Sequence, residues 1–236
     1  MQQNRETLTP QQAQTYYNWL GKKLDSQGFY ENPALDVLVE EGDFGHAGQV
    51  FELGCGTGRV AERLLQEKLP ASARYHGVDI SPVMVEVASE RLEPFGTRIT
   101  VEHSGGNLHL PPDNASVDRV IATYVLDLLS EANIELAFAE AHRILAPGGL
   151  FCIASLTPGI TLPSRLVTAV WKQLFRLHPA IVGGCRPVRL TDFVDPDFWI
   201  ERCHRTVTPF GVPSEVLILE ARTPQQASHP TNEPRP

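Results

Sequence analysis

The sequence predicts an α/β protein, an open and mostly parallel sheet covered by helices on both faces. Short apolar runs alternate with helical patterns along most of the chain, as expected of consecutive strand–helix–strand units. The run Val50-Phe51-Glu52-Leu53 ends in Gly54-Cys55-Gly56-Thr57-Gly58 and passes into a helical pattern at Val60, Ala61, Leu64 and Leu65. Open α/β sheets hold their ligands at such turns, at the carboxyl ends of strands. Residues 150–156 are apolar almost without interruption, as a strand buried on both faces should be.

Taken in order, the first eight residues are polar and expected to be flexible, with no apolar core of a signal peptide. Thr9-Pro10 supplies a capping hydroxyl and a proline at the first helical position. The helix they open carries Tyr16, Tyr17, Trp19 and Leu20, then Leu24. Adjacent tyrosines cannot share a face, so one of Tyr16 and Tyr17 is expected at a ligand pocket. A second helix is predicted from Asn32-Pro33 through Leu35, Leu38 and Val39 to Gly42. The central turn follows. Its GxGxG spacing differs from the dinucleotide fingerprint GxGxxG, because Arg59 stands where the third glycine would fall. Glu52 before the turn opposes a pyrophosphate and suits a positively charged ligand, an amine or a sulfonium.

Residues 73–79 read as a second strand ending in Asp79, where a carboxylate can accept both hydroxyls of a ribose. Ser81-Pro82 starts a helix bearing Met84, and residues 97–102 form a third strand. A loop through Ser104, Gly105, Gly106 and Asn107 leads to a fourth strand ending near Thr123, with Tyr124 and Asp127 beyond it. A helix from Ser130 to Ile144 stops at Pro147-Gly148-Gly149, before the fifth strand. Residues 161–176 form an amphipathic helix with Leu162, Leu166, Val170 and Leu174 on its inward face. Arg186, in a glycine-rich loop, is a candidate anchor for an anionic substrate group. Two last strands, 199–208 and 215–222, are joined at Phe210-Gly211-Val212-Pro213-Ser214. The tail from Thr223 is expected to be disordered.

Four signals occur in order: the GxGxG turn, Asp79 after the second strand, the tip of the fourth strand, and Leu145-Ala146-Pro147-Gly148-Gly149. Over residues 47–157 the chain resembles the class I S-adenosylmethionine-dependent methyltransferases, notably small-molecule members of the ubiquinone and menaquinone biosynthesis type. The resemblance implies a Rossmann-like three-layer α/β/α sandwich with a seven-stranded sheet of order 3-2-1-4-5-7-6, ended by an antiparallel hairpin. It implies one domain over residues 9–222, with cap helices at 9–45 and a substrate-side insertion at 157–190.

S-adenosylmethionine, becoming S-adenosylhomocysteine, is the implied cofactor. Its expected contacts are Glu52, Gly54, Cys55, Gly56, Gly58, Asp79, Ile80, Met84, Gly106, Asn107, Thr123 and Tyr17. Ile80 and Met84 would sandwich the adenine, and Thr123 would lie beside the methionine end. Gly106 stands where relatives carry an adenine-binding aspartate, which leaves backbone groups or Asn107 for that contact. Asp127 and Tyr124 are the candidate bases, and Tyr16 and Arg186 the candidate substrate contacts.

Formal net charge is −8, which argues against a nucleic-acid backbone as the partner. Cys55, Cys152, Cys185 and Cys203 are far apart, with no metal-ligand spacing and no disulfide framework. No apolar run approaches the roughly 20 residues of a membrane span. The expectation is a cytoplasmic enzyme, monomer or homodimer, methylating a small and partly apolar metabolite without metal or membrane insertion. Two other readings are an NAD(P)-dependent Rossmann oxidoreductase and a non-catalytic cofactor-binding subunit.

Overall fold

A computed structural model describes residues 7–159, 162–177 and 184–222. Seven strands form one sheet: β1 (Gln49–Leu53), β2 (Arg74–Asp79), β3 (Ile99–His103), β4 (Val117–Thr123), β5 (Leu145–Leu156), β6 (Trp199–Val207) and β7 (Ser214–Ala221). Their order is β3-β2-β1-β4-β5-β7-β6. The first five strands are parallel, and β7 pairs antiparallel with both β5 and β6. This is the predicted Rossmann-like fold and strand order.

The helices are α1 (Pro10–Leu20), α2 (Gly28–Glu41), α3 (Arg59–Glu67), α4 (Pro82–Leu92), α5 (Glu131–Ile144) and α6 (Leu162–Leu177). Each face of the sheet has its own core. On one, Leu38 of α2 and Leu64 of α3 bury against Val50, Ile121 and Ile218. On the other, Ile134 and Phe138 of α5 bury against Phe51, Val120 and Phe151. Alternate residues of each strand serve opposite faces.

Several boundaries differ from the sequence reading. Helix α1 stops at Gly21, whose φ of +49° ends the α-conformation, so Leu24 belongs to a 3₁₀ segment, Gly21–Gln27. Helix α2 begins at Gly28 and contains Pro33. The missing proline N–H deprives only the carbonyl of Phe29, a residue of the first turn that is itself exposed, so the cost is small. Strand β5 begins at Leu145, which pairs with Val117 across a register shift. Pro147-Gly148-Gly149 therefore kinks the strand's first part as well as following the helix. In α6 the buried residues include Ser164 and Thr168, while Val170 is 54% exposed. The predicted inward stripe is thus not buried at Val170. Small hydroxyl residues pack closer here than the apolar pattern suggests, and Trp171 donates Nε1–H to the carbonyl of Cys185 at 2.9 Å. The expected flexible residues 1–6 and the tail from 223 lie outside the described residues.

Candidate functional site

At the carboxyl ends of β1, β2 and β4 the sheet opens into a cavity with about 210 Å³ of water-accessible space. The floor is the turn between β1 and α3. Gly54, Cys55, Gly56 and Thr57 line it, and Gly56, at φ +53°, presents its amide where an ordinary residue would be strained. Gly58, the N-cap of α3, packs instead against Ala88 of α4.

Asp79 ends β2 and lines the cavity. Its Oδ2 accepts the N–H of Gly56 at 2.9 Å and its Oδ1 the N–H of Ser81 at 2.8 Å. One carboxylate thereby fixes both turns while retaining lone pairs toward the cavity. Ile80, Met84, Asn107 and Thr123 also line it. Asn107 Oδ1 accepts the N–H of His109 at 2.9 Å, an Asx turn that sets the loop. Gly106 has φ +77°, and a Cβ there would lie 3.1 Å from Pro10 Cβ and 3.2 Å from Ile80 Cδ1. The start of α1 fills the space that a side chain at 106 would need.

The roof is the N-terminal segment, with Leu8, Pro10, Ala13, Tyr17, Leu24 and Asp25 facing inward. A capping box, Thr9 with Gln12, starts α1. Polar bonds then tie it down: Gln14 Nε2 donates to the Ile80 carbonyl at 3.1 Å, and Ser81 Oγ to Asn18 Oδ1 at 2.6 Å. Asp25 accepts from Thr57 Oγ1 at 2.6 Å and from Arg91 Nη2 at 2.5 Å.

The far wall is aromatic and acidic. Tyr17, Tyr30, Tyr124, Leu128, Leu129 and Cys185 line it. The Tyr30 and Tyr124 rings meet edge to face at 6.0 Å. Tyr124 sits at φ +53°, a strained position that turns its side chain back toward the cavity; its hydroxyl donates to Ser214 Oγ at 3.0 Å. Burial raises the Tyr124 pKa well above the usual phenol range. Tyr17 hydrogen-bonds the Cys185 side chain, and burial raises both groups.

Of the predicted site residues, Gly54, Cys55, Gly56, Asp79, Ile80, Met84, Gly106, Asn107, Thr123, Tyr17 and Tyr124 line one cavity. Five do not. Glu52 is 1% exposed and faces away under the turn, accepting the Tyr75 hydroxyl at 2.5 Å. Burial pushes its carboxyl up to about 8, so it supplies no standing negative charge for a cation at neutral pH. Gly58 packs as above. Asp127 is 0% exposed behind the far wall, and burial pushes it up to about 7. Tyr16 turns outward to pack on Tyr17 and Trp19. Arg186 donates Nη2–H to the Leu129 carbonyl at 2.7 Å and its amide to the Asp127 carbonyl at 3.0 Å, bonds that brace the loop after β4.

Sequence reasoning missed Glu31 and Arg59, which both line the cavity. They pair at 2.6 Å between Oε2 and Nη2, and Arg59 Nη1 also donates to Asn32 Oδ1 at 2.6 Å. Arg59 was visible only as the residue replacing a fingerprint glycine. Glu31 was hidden because the helix was read as starting at Asn32, one residue past it, whereas it begins at Gly28.

Residues 50–149, under half of the chain, match the family model of the methyltransferase domain. It is 33% identical over 160 residues to the biotin biosynthesis bifunctional protein BioHC of Teredinibacter turnerae, covering 65% of this chain and 27% of that one. It is 30% identical over 151 residues to the demethylmenaquinone methyltransferase of Thermus thermophilus, covering 64% and 63%. The tRNA N(3)-methylcytidine methyltransferase Mettl2 of Drosophila melanogaster is 27% identical, covering 52% and 38%. The chain thus spans between about a quarter and under two thirds of these relatives. Among solved structures, the [4+2]-cyclase SpnF shares the fold at TM-score 0.70 and 15% identity, covering 92% and 98%. A geranyl diphosphate methyltransferase shares it at 0.67 and 15%, covering 91% and 99%.

Proposed function

We propose that this chain is an S-adenosylmethionine-dependent methyltransferase acting on a small, partly apolar molecule. One observation carries the reading: a single roofed cavity joins the glycine turn and Asp79 to an aromatic wall of Tyr17, Tyr30 and Tyr124. The residues present fit the cofactor. The close turn at Gly56 lets the ligand approach the backbone without a side chain in the way, Asp79 keeps acceptor capacity for a ribose, and Ile80 and Met84 offer apolar faces for a purine. The contact that relatives make through an aspartate falls here to the backbone at Gly106 and to Asn107. The bound cofactor supplies a methyl group on a sulfonium, whose neutral thioether leaves without an acid. The protein's work is then to orient the acceptor, exclude water and remove a proton where the acceptor has one.

A macromolecular substrate is the second reading, favoured by the relatives named as tRNA methyltransferases. The roof formed by α1 and the formal charge of −8 support the small molecule. Calorimetry with S-adenosylhomocysteine and with NADH tests the cofactor; tighter binding of NADH would replace this reading with the oxidoreductase. Transfer of label from methyl-tritiated S-adenosylmethionine into a metabolite extract, but not into bulk tRNA, tests the substrate. Cofactor binding with label in neither fraction would favour a non-catalytic subunit.

A further inference from the structure

We infer that Glu31 is the general base of the site, taking the proton of an O–H or N–H acceptor held against the wall formed by Tyr30 and Tyr124. The inference rests on the methyltransferase reading and adds the acceptor's class: a group that must lose a proton as it is methylated, such as a phenol or an amide-like N–H.

Geometry carries the argument. Asp127, the acid beyond the β4 tip, is sealed behind the wall, and Glu52 faces away under the turn. Asp25 is bound to Arg91 and Thr57, and Asp79 holds two backbone amides. Glu31 lines the cavity, 7% exposed, on the wall it shares with Tyr30 and Tyr124. That wall adjoins Thr123, the strand tip where the methionine end of the cofactor is expected. Arg59 grips Oε2 at 2.6 Å, and Tyr30 hydrogen-bonds the carboxyl. These contacts fix the carboxyl's orientation at the cavity wall.

The surroundings poise it. Burial raises the Glu31 pKa, opposed first by Arg59 and then by Tyr30, while Asp25 adds to the rise, giving about 7. Asp127 and Cys185 also feel its charge. A base with this affinity for protons is half ionised near neutrality, where general-base catalysis is most effective. In the step, the acceptor gives its proton to the Glu31 carboxylate. Its lone pair forms the new bond to the methyl carbon, and the electrons of the broken carbon–sulfur bond stay on sulfur. The proton then leaves to solvent.

Two measurements test this on the full chain. In protein saturated with S-adenosylhomocysteine, a carboxyl carbon-13 resonance should titrate near pH 7 and vanish in Glu31→Gln; Glu31→Asp, which should shift it, backs up the assignment if the glutamine variant fails to fold. Glu31→Gln should also bind S-adenosylhomocysteine within about threefold of the natural chain. With tritiated S-adenosylmethionine and a panel of phenols and amides, it should lower kcat by about 10²–10⁴-fold, with the acid limb of the kcat profile lost and KM little changed. A Glu31 ionised throughout pH 5–9, or a tenfold loss of cofactor affinity in Glu31→Gln, overturns the proposal; the latter makes Glu31 a cofactor ligand. Failure of the natural chain to bind S-adenosylhomocysteine at all would instead refute the methyltransferase reading.

Discussion

Asp79 holds the Gly56 amide, the Ser81 amide and, on the proposed function, a ribose. Its removal should therefore affect folding and binding together. Asp79→Ala leaves two buried backbone donors without partners, each costing about 1–3 kcal/mol, so urea denaturation should show a clear loss of stability. Calorimetry with S-adenosylhomocysteine should show affinity falling by a further 1–3 kcal/mol or so. Asp79→Asn keeps one acceptor oxygen and should recover part of both. Unchanged affinity in a folded alanine variant would place the ribose elsewhere. Gly106 makes the opposite point. Introducing the aspartate that the resemblance implies there, Gly106→Asp, should weaken cofactor binding, because φ is +77° and Pro10 and Ile80 crowd a Cβ at 3.1 and 3.2 Å. The strain alone is about 1–2 kcal/mol, and tighter binding in calorimetry would show that α1 yields.

Among elements, the roof is where sequence and structure part. Thr9-Pro10 announced α1, and Ser81 and Ser130 do cap the helices predicted after them, because caps are local chemistry. The strand order followed from a resemblance carried by four short motifs. What was not legible depends on distant partners. Asp25 is an ordinary surface acid in sequence, yet it meets Thr57 and Arg91 from two other elements. Val170 of α6 was misplaced because the buried Ser164 and Thr168 carry no hydrophobic period. Glu31 stood one residue outside the predicted helix, and nothing local tied it to Arg59. The Asp25–Thr57–Arg91 network is the latch of the roof over the turn. Arg91→Ala should speed amide exchange across residues 21–27 and weaken cofactor binding, while the amides of β1, β4 and β5 keep their protection. Equal speeding everywhere would mean that Arg91 serves global stability instead.

Across the whole molecule, the buried acids set how stability varies with pH. Glu31 and Asp127 are pushed up to about 7 and Glu52 to about 8, in each case chiefly by burial. In the unfolded chain these groups ionise in the ordinary carboxylate range near 4. Between pH 5 and 8 the folded state therefore binds more protons than the unfolded state. Stability is then highest on the acid side of this window and falls as pH rises through the folded values. Asp25 and Glu140 are shifted the other way, by Arg91 with Thr57 and by Arg143; both are ionised in either state above pH 5 and contribute nothing to the slope there. Each raised carboxyl adds on the order of 1 kcal/mol per pH unit over its own range. Urea midpoints should accordingly be higher at pH 5.5 than at pH 8. Glu52→Gln should flatten the profile by one group's share, since the amide oxygen can still accept the Tyr75 hydroxyl and carries no charge to bury. Saturating S-adenosylhomocysteine should raise the whole curve through binding linkage, and the Glu52→Gln flattening should persist because Glu52 does not touch the cavity. A profile rising from pH 5.5 to 8, or one that Glu52→Gln leaves unchanged, would show that these acids are already ionised in the folded chain and that water reaches the underside of the glycine turn.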